Sequence, residues 1–155
     1  MLRRADAELN HLLVSTYQNV NRVETCMLAS SRNDLSIAEL HIMECVGRSP
    51  DGRCTISGIA QAMEITLPTV TVAVKRLEKK GYVLKSKDEN DGRVTRVELT
   101  AQGRKMDAAH RYFHENMIRS ITREMSENEV QELVRILSKL NGFLERKQSE
   151  MSEKR

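Results

Sequence analysis

The chain has 155 residues, of which 39% are hydrophobic and 30% are charged, a balance that supports one folded domain and argues against disorder. No apolar run approaches the roughly 18 residues that a membrane-spanning helix requires. The 25 basic and 22 acidic residues leave a net charge of +3, which by itself identifies no partner.

The first predicted element is a helix over about residues 6–31. Apolar or small residues recur along it in steps of four and three, which is the period of a helical seam. They are Leu9, Leu13, Thr16, Val20, Val23 and Met27. Loop residues at 30–34 follow. Ser36 and Glu39 then form a capping box that opens a second helix, which is predicted to end near Gly47.

Two shorter helices and a hairpin make up the middle of the chain. After a turn, helices are predicted over 55–63 and 67–80, each opened by a threonine that can cap it. Residues 64–66 form the turn between them. The alternating segments 82–87 and 93–99 flank an Asp-Gly turn, which predicts a β-hairpin.

The C-terminal part is predicted to hold two more helices. Thr100 can cap a helix from Ala101 to about Arg123, and Ser126 and Glu129 form a second capping box. The last helix carries a second apolar seam, again in steps of three and four. Its residues are Val130, Leu133, Leu137, Leu140 and Leu144.

Two short helices joined by a tight turn and followed by a hairpin predict a winged helix-turn-helix. We predict a mostly α single domain over residues 1–155 with one β-hairpin wing. Its winged helix-turn-helix core lies at about 36–100, and long dimerisation helices lie at about 6–31 and 101–147. A small winged-helix core cannot bury both terminal seams, so we predict a homodimer in which these helices pair.

The helix over 67–80 is the candidate recognition helix. Its predicted inward face is Leu67, Val70, Val74 and Leu77. Its predicted outward, DNA-binding face is Pro68, Thr69, Thr71, Val72, Lys75, Arg76 and Lys79. Threonine can contact bases or phosphates, and cations can neutralise phosphates or reach guanine. The alternative is a polar face that meets only water, for which a face so poor in glutamate is unusual.

Eight basic residues lie on this helix and the hairpin: Lys75, Arg76, Lys79, Lys80, Lys85, Lys87, Arg93 and Arg96. Local positive charge attracts a polyanion such as double-stranded DNA, although a solvated helix face with a lysine-rich sheet edge is the alternative. At the hairpin tip, Arg93 can enter a narrow minor groove, and Asp91 can hold its guanidinium through a bidentate pair. An exposed turn pair of little energetic consequence is the other interpretation.

Three motifs resemble the multiple-antibiotic-resistance regulator (MarR) family, and the resemblance covers nearly the whole chain. They are residues 77–83 (LEKKGYV), Asp91-Gly92-Arg93 and residues 97–103 (VELTAQG). Members of that family are homodimeric winged-helix regulators that bind palindromic operators. The resemblance implies that Asp91 and Arg93 are DNA-binding residues of the wing. This sequence departs from many relatives at 88–90, where it has Asp, Glu and Asn instead of further arginines.

A closer resemblance is to the fatty-acid-biosynthesis repressors of Firmicutes, carried by residues 37–41, Gly81-Tyr82 and residues 110–114. Those repressors bind DNA more tightly with long-chain acyl-acyl-carrier-protein. The resemblance implies a repressor whose effector is an acyl chain or an acyl carrier protein. Methionines can adapt to such an apolar ligand, or they can simply fill the core. The candidates are Met27, Met43, Met63, Met106 and Met117.

Histidines and cysteines leave open an alternative, a metal- or thiol-responsive regulator of the same fold. His110 and His114 are four residues apart on a helix, a spacing that can ligate zinc. Further candidate ligands are Cys26, Cys45, Glu39 and His41. Packed histidines, with Cys26 as a small buried residue, are the competing interpretation. The remaining ligands cannot be assigned from sequence, so no metal and no cofactor is predicted.

The sequence predicts a cytoplasmic DNA-binding transcriptional regulator. The three cysteines lack CxxC spacing, and the first residues become polar too early for a signal peptide. No nucleophile elbow, phosphate-binding loop, dinucleotide-binding glycine pattern or HExxH motif occurs, so an enzyme is not expected. A purely structural dimerisation protein is the alternative from a different class.

Overall fold

The structure of the protein is a computed structural model that describes residues 3–30, 34–88 and 91–152. Residues 31–33 of the predicted first loop and residues 89 and 90 of the predicted hairpin turn lie outside this range. The described part of the chain contains six helices and one small sheet.

The elements follow one another in the predicted order, with one additional strand. They are α1 (Arg4–Ser30), α2 (Ile37–Gly47), β1 (Arg53–Thr55), α3 (Ile56–Ala62), α4 (Leu67–Lys79), β2 (Val83–Lys87), β3 (Thr95–Leu99), α5 (Ala101–Thr122) and α6 (Glu127–Ser152). The predicted mostly α winged helix-turn-helix is confirmed. Each predicted helix start lies within two residues of the observed one, because caps and turns mark these ends locally.

The sheet has one strand more than the predicted hairpin. β1 and β2 both pair antiparallel with β3, which is therefore the central strand. Cys54 and Lys85 lie opposite Val97 from its two sides. β1 could not be predicted because three residues are too few to show an alternating pattern.

The chain divides into two compact units between His110 and Arg111. In the first unit, α2, α3, α4 and the sheet surround one apolar core. Its fully buried side chains include Leu40, Ile42, Met43, Val46, Ile59, Val70, Val74, Leu77, Val83 and Val97. Burial of each such side chain contributes about 1.5–3 kcal/mol before the entropy of ordering is subtracted. This core holds α4 and the strands of the wing on a common support.

A close backbone approach joins the sheet to α5. The Thr100 backbone N–H donates to the carbonyl oxygen of Tyr82 (3.0 Å), and the Thr100 hydroxyl accepts from the Gly103 N–H (3.0 Å). A Cβ on Gly103 would lie 2.1 Å from that Tyr82 oxygen, so a larger residue would push the two segments apart. Gly81, with a φ of +80°, makes the turn that brings Tyr82 to this contact.

A buried carboxylate connects the start of α2 to the end of α4. Glu39 is 5% exposed and accepts a hydrogen bond from the Ser36 backbone N–H (2.8 Å). The Lys80 ammonium lies 3.0 Å and 3.1 Å from its two carboxylate oxygens and also donates to the Asp34 carbonyl. Burial by itself raises the pKa of the Glu39 carboxyl. The Ser36 bond and Lys80 outweigh it, so the pKa lies below its usual range.

Apolar side chains remain exposed on the terminal helices of each unit. In the first unit, α1 exposes Leu9, Leu12, Leu13, Val14, Tyr17, Val20 and Val23. In the second unit, α6 exposes Leu133, Val134, Ile136, Leu137, Phe143 and Leu144. The helical seams are therefore largely unburied in the single chain. None of the described helices combines the length and the hydropathy that crossing a membrane would require.

Replacing Glu39 with Gln should lower the free energy of unfolding at neutral pH by about 1–3 kcal/mol, because Lys80 loses its carboxylate partner. The depressed pKa of Glu39 makes its contribution fully present above the ordinary glutamate pKa, about 4.3. The contribution is lost as the pH falls through the folded-state value. Urea unfolding at about pH 7 and about pH 3 should therefore show the two stabilities converging at the lower pH.

The matched control is Glu132→Gln, which removes an exposed pair with Arg135 on α6. This variant should unfold almost like the wild type at both pH values, since exposed ion pairs contribute little. A stability gap between wild type and Glu39→Gln that does not narrow at low pH would contradict the role assigned to this carboxylate.

Candidate nucleic-acid interface

The helix-turn-helix is formed by α3 and α4 and the turn between them. The side chains of Thr55 and Thr66 cap the two helices as predicted. In the turn, Glu64 has a φ of 54°, a left-handed conformation that is uncommon for a residue with a side chain. The Ile65 N–H then bonds to the Ala60 carbonyl (3.1 Å). This turn sets the direction in which α4 leaves α3.

The two faces of α4 differ as the sequence predicts, with one exception. All seven residues of the predicted outward face are exposed: Pro68, Thr69, Thr71, Val72, Lys75, Arg76 and Lys79. Val70, Val74 and Leu77 are completely buried on the other face. The inward prediction for Leu67 is wrong, because this first residue of the helix is 51% exposed and borders a surface groove.

That groove lies between the start of α4 and the wing. Its volume is about 270 Å³, and its lining consists of Thr55, Ile56, Ser57, Leu67, Thr71, Arg93, Val94 and Thr95. Hydroxyl groups and a guanidinium therefore share a shallow apolar surface. Such groups bind the phosphates and sugars of a nucleic-acid backbone. The outward face of α4 and the wing thus form one continuous surface.

The eight predicted basic residues fall into two groups in the structure. Three are ion-paired: Lys80 with Glu39, Lys85 with Glu78 and Arg96 with Asp88. Five make no ion pair within the described ranges: Lys75, Arg76, Lys79, Lys87 and Arg93. The Lys85–Glu78 contact, at 2.7 Å, joins β2 to α4. The paired cations therefore hold the wing and α4 in place, and the others remain available to a polyanion.

Two aspartates shape the tip of the wing. The Asp91 carboxylate accepts a hydrogen bond from the Arg93 backbone N–H (2.9 Å), in place of the predicted bidentate pair with the guanidinium. This bond is the kind that aspartate makes in turns. The Asp88 carboxylate accepts from the Asp91 N–H (3.2 Å) and also pairs with Arg96. Asp88 is thus a structural residue of the wing, a role that a local sequence pattern does not reveal.

The predicted effector methionines are distributed over both units. Met43 is completely buried, and Met27, Met63 and Met106 are half-buried against the same core of the first unit. Met117 is half-buried in the second unit. Met63 also borders a groove at the end of α2. Four of the five methionines therefore contribute to one apolar cluster.

The sequence favours Cys26 as a small buried residue over a thiol sensor. Cys26 is exposed, so its interpretation as a small buried residue is wrong. Cys45 and Cys54 are both half-buried. Burial, together with the neighbouring Cys54, raises the pKa of the Cys45 thiol. This pair joins α2 to β1, and the sequence could not reveal it because β1 was not predicted.

His110, which the sequence presents with His114 either as zinc ligands or as packed histidines, contacts a histidine of another helix. His110 is 1% exposed, and its ring centroid lies 5.7 Å from that of His41 on α2. In the second unit, the His114 ring lies 5.3 Å from the ring of Phe113. The proximity of His41 and His110 depends on how α2 and α5 pack, which helical spacing alone does not report.

Comparisons with known proteins agree with this architecture. Residues 35–95 match the MarR family. The crystal structure of Streptococcus pneumoniae FabT in complex with DNA is 36% identical in sequence and superposes with a TM-score of 0.85. The match covers 90% of this chain and 96% of that one. The similarity therefore extends well beyond the helix-turn-helix.

Two further relatives are similar over a shorter region. The HTH-type transcriptional regulator SarZ of Staphylococcus epidermidis is 29% identical over 94 residues, which is 57% of this chain and 62% of that protein. YhjH of Bacillus subtilis, described as an uncharacterized HTH-type transcriptional regulator, is 26% identical over 85 residues, or 55% of this chain. The matched region spans about half of YhjH, 47% of its length.

Proposed function

This chain belongs to the MarR family of DNA-binding transcriptional regulators, and we propose that it is a repressor that binds a palindromic operator as a homodimer. The family consists of regulators, not enzymes. The observation that carries the proposal is the exposed outward face of α4, where Lys75, Arg76 and Lys79 form no ion pair with any described residue. The start of this helix shares a groove with the wing arginine, Arg93. Cations placed in this way neutralise phosphates and orient a helix on DNA.

We assign the DNA contacts to two elements. The outward face of α4 enters the major groove, where Thr69, Thr71 and Val72 meet base edges and the three cations meet phosphates. The wing places Arg93 in the adjacent minor groove, with Asp91 ordering the backbone that carries it. The groove between α4 and the wing receives the sugar-phosphate backbone between these two contacts.

The homodimer is supported by the exposed apolar faces of α1 and α6. Monomeric proteins rarely leave so many large apolar side chains on helices in water. A second copy is the natural cover, because a two-fold axis also presents two α4 helices to the two halves of a palindrome. We expect both terminal regions to take part in this interface.

Selection of binding sites from random duplexes should return an imperfect palindrome with half-sites about 10 base pairs apart, one helical turn. Two substitutions test the contact surface. Arg93→Ala should weaken binding to the selected duplex about tenfold, which is about 1.4 kcal/mol. Lys75→Ala should reduce the slope of log K against log salt concentration by about one for each copy bound. Fluorescence anisotropy over a range of salt concentrations measures both effects.

The control for the charge change is Lys139→Ala, because Lys139 is exposed on α6, away from α4 and the wing in sequence. The affinity of the Lys139→Ala variant for the selected duplex, and the salt dependence of that affinity, should equal those of the wild type. If the Arg93 and Lys75 variants also bind like the wild type at every salt concentration, the contact surface has been assigned wrongly.

The wild-type chain should sediment as a dimer at micromolar concentration in analytical ultracentrifugation. Leu137→Glu should shift it towards the monomer, because the charge would have to be buried in an apolar interface. Lys139→Glu changes the same helix at an exposed polar position and should remain dimeric. A wild-type chain that stays monomeric at this concentration would rule out the dimer.

We further propose an apolar effector, an acyl chain presented by an acyl carrier protein. The support is the resemblance to the fatty-acid-biosynthesis repressors, together with the partly buried methionines Met27, Met63 and Met106 at the edge of the core. Methionine can repack around an inserted chain more readily than branched residues can. A ligand that binds one arrangement of the helices more tightly would change the affinity for DNA.

Long-chain acyl-acyl-carrier-protein should tighten binding of the protein to its selected operator duplex, and the unacylated carrier should not. Fluorescence anisotropy with the two carriers and a phenolic acid in parallel separates these ligands. Met106→Ala should weaken the response by removing apolar lining, with Met151→Ala, exposed at the end of α6, as the control. An operator affinity that is identical with and without the acylated carrier would exclude this effector.

A further inference from the structure

Glu24, His41 and His110 meet at a junction of three helices in the first unit. Glu24 lies on α1 and is 4% exposed, His41 is half-buried on α2, and His110 is 1% exposed on α5. One oxygen of Glu24 and one ring nitrogen of each histidine all lie within 4.8 Å of one another. None of these residues belongs to the surface of α4 and the wing.

The chemistry of this group is that of a divalent metal site. Two imidazoles and one carboxylate form a donor set that zinc commonly takes from proteins, with one position left for another ligand. A tetrahedral zinc ion with bonds of about 2.0–2.1 Å keeps its ligand atoms about 3.4 Å apart. The three donor atoms would therefore have to approach one another by about 1.4 Å or less when the ion binds.

The surroundings of His110 also fit this role. Glu44 on α2 places a carboxylate oxygen 3.8 Å from His110 Nδ1. This contact is longer than a hydrogen bond, and the negative charge of the carboxylate favours a cation bound at the ring. The rings of His41 and His110 are tilted by 47° and not stacked, so their nitrogens can converge on one point. His41 is only half-buried, which gives an ion a route from solvent.

We propose that Glu24, His41 and His110 bind one zinc-type divalent cation per chain, with an exchangeable fourth ligand. The ion would tie α1 and α5 to α2. His41 follows Glu39 by two residues in α2, and Glu39 holds Lys80 at the end of α4. A bound ion would thus shift α2, which supports α4, and change the affinity for operator DNA. This second step rests on the proposed function.

Isothermal titration of zinc chloride into the metal-free full-length chain should give one bound ion per chain. His41→Ala and Glu24→Gln should each weaken zinc binding by a factor on the order of 100 or more, since each removes a ligand. His110→Ala should do the same if it folds. Circular dichroism shows whether each variant is folded. Among the three positions, His41 should tolerate substitution best because it is only half-buried. Undiminished affinity in folded His41→Ala and Glu24→Gln would overturn the site.

Two controls separate this site from other ligands. His11→Ala removes an exposed histidine from α1 and should leave the affinity unchanged, and a loss of binding there would overturn the assignment in favour of a surface site. The Cys45→Ser, Cys54→Ser double variant should also bind normally. Cobalt substituted for zinc should show tetrahedral d–d bands and no thiolate charge-transfer band. A thiolate band, or loss of binding in the double variant, would place the ion on the cysteines instead.

Operator binding measured with and without zinc tests the second step. A change in affinity in the wild type that disappears in His41→Ala supports the coupling. An unchanged affinity with the site filled would overturn the coupling and leave the site standing. If no form of the protein binds DNA, the proposed function fails, while the titration still decides whether the metal site exists.

Discussion

The position of α4 depends on one buried carboxylate. Glu39 closes the capping box with Ser36 and binds Lys80, so a single side chain fixes both the start of α2 and the end of α4. A buried ion pair adds little net stability, because desolvation offsets most of the attraction. Its contribution here is geometric, since losing either partner would leave a charge inside the protein. Because this ion pair and the buried face position α4, the residues of its outward face are not needed to hold the helix and can be polar.

Ion pairs also position the wing. Lys85 bonds to Glu78 of α4 and so holds the wing to its support. Arg96 bonds to Asp88 within the wing and so holds the base of its tip. The other five basic residues of α4 and the hairpin form no ion pair in the described parts of the chain: Lys75, Arg76, Lys79, Lys87 and Arg93. The ion-paired cations fix the shape of the surface, and the unpaired cations keep it basic. The surface is therefore preorganised to bind a polyanion.

Helix α2 links the three features on which regulation would depend. It carries Glu39, which positions α4, and it supplies His41 to the candidate metal cluster. It also carries Cys45, which meets Cys54 of β1. A ligand that shifts this helix reaches α4 through packed side chains and one ion pair. This short physical path is the kind of connection that allosteric coupling requires.

The sequence alone determined the helices, their caps, the wing and the buried face of α4, because hydrophobic period, capping residues and turn chemistry are local properties. Tertiary structure decided the rest. It added β1, exposed Leu67, and separated Lys80 from the cations that face solvent. It also brought His110 to His41, a partner on another helix. Identical side chains acquire different roles here because burial and ion pairing depend on neighbours that are distant in the chain, and no local pattern encodes them.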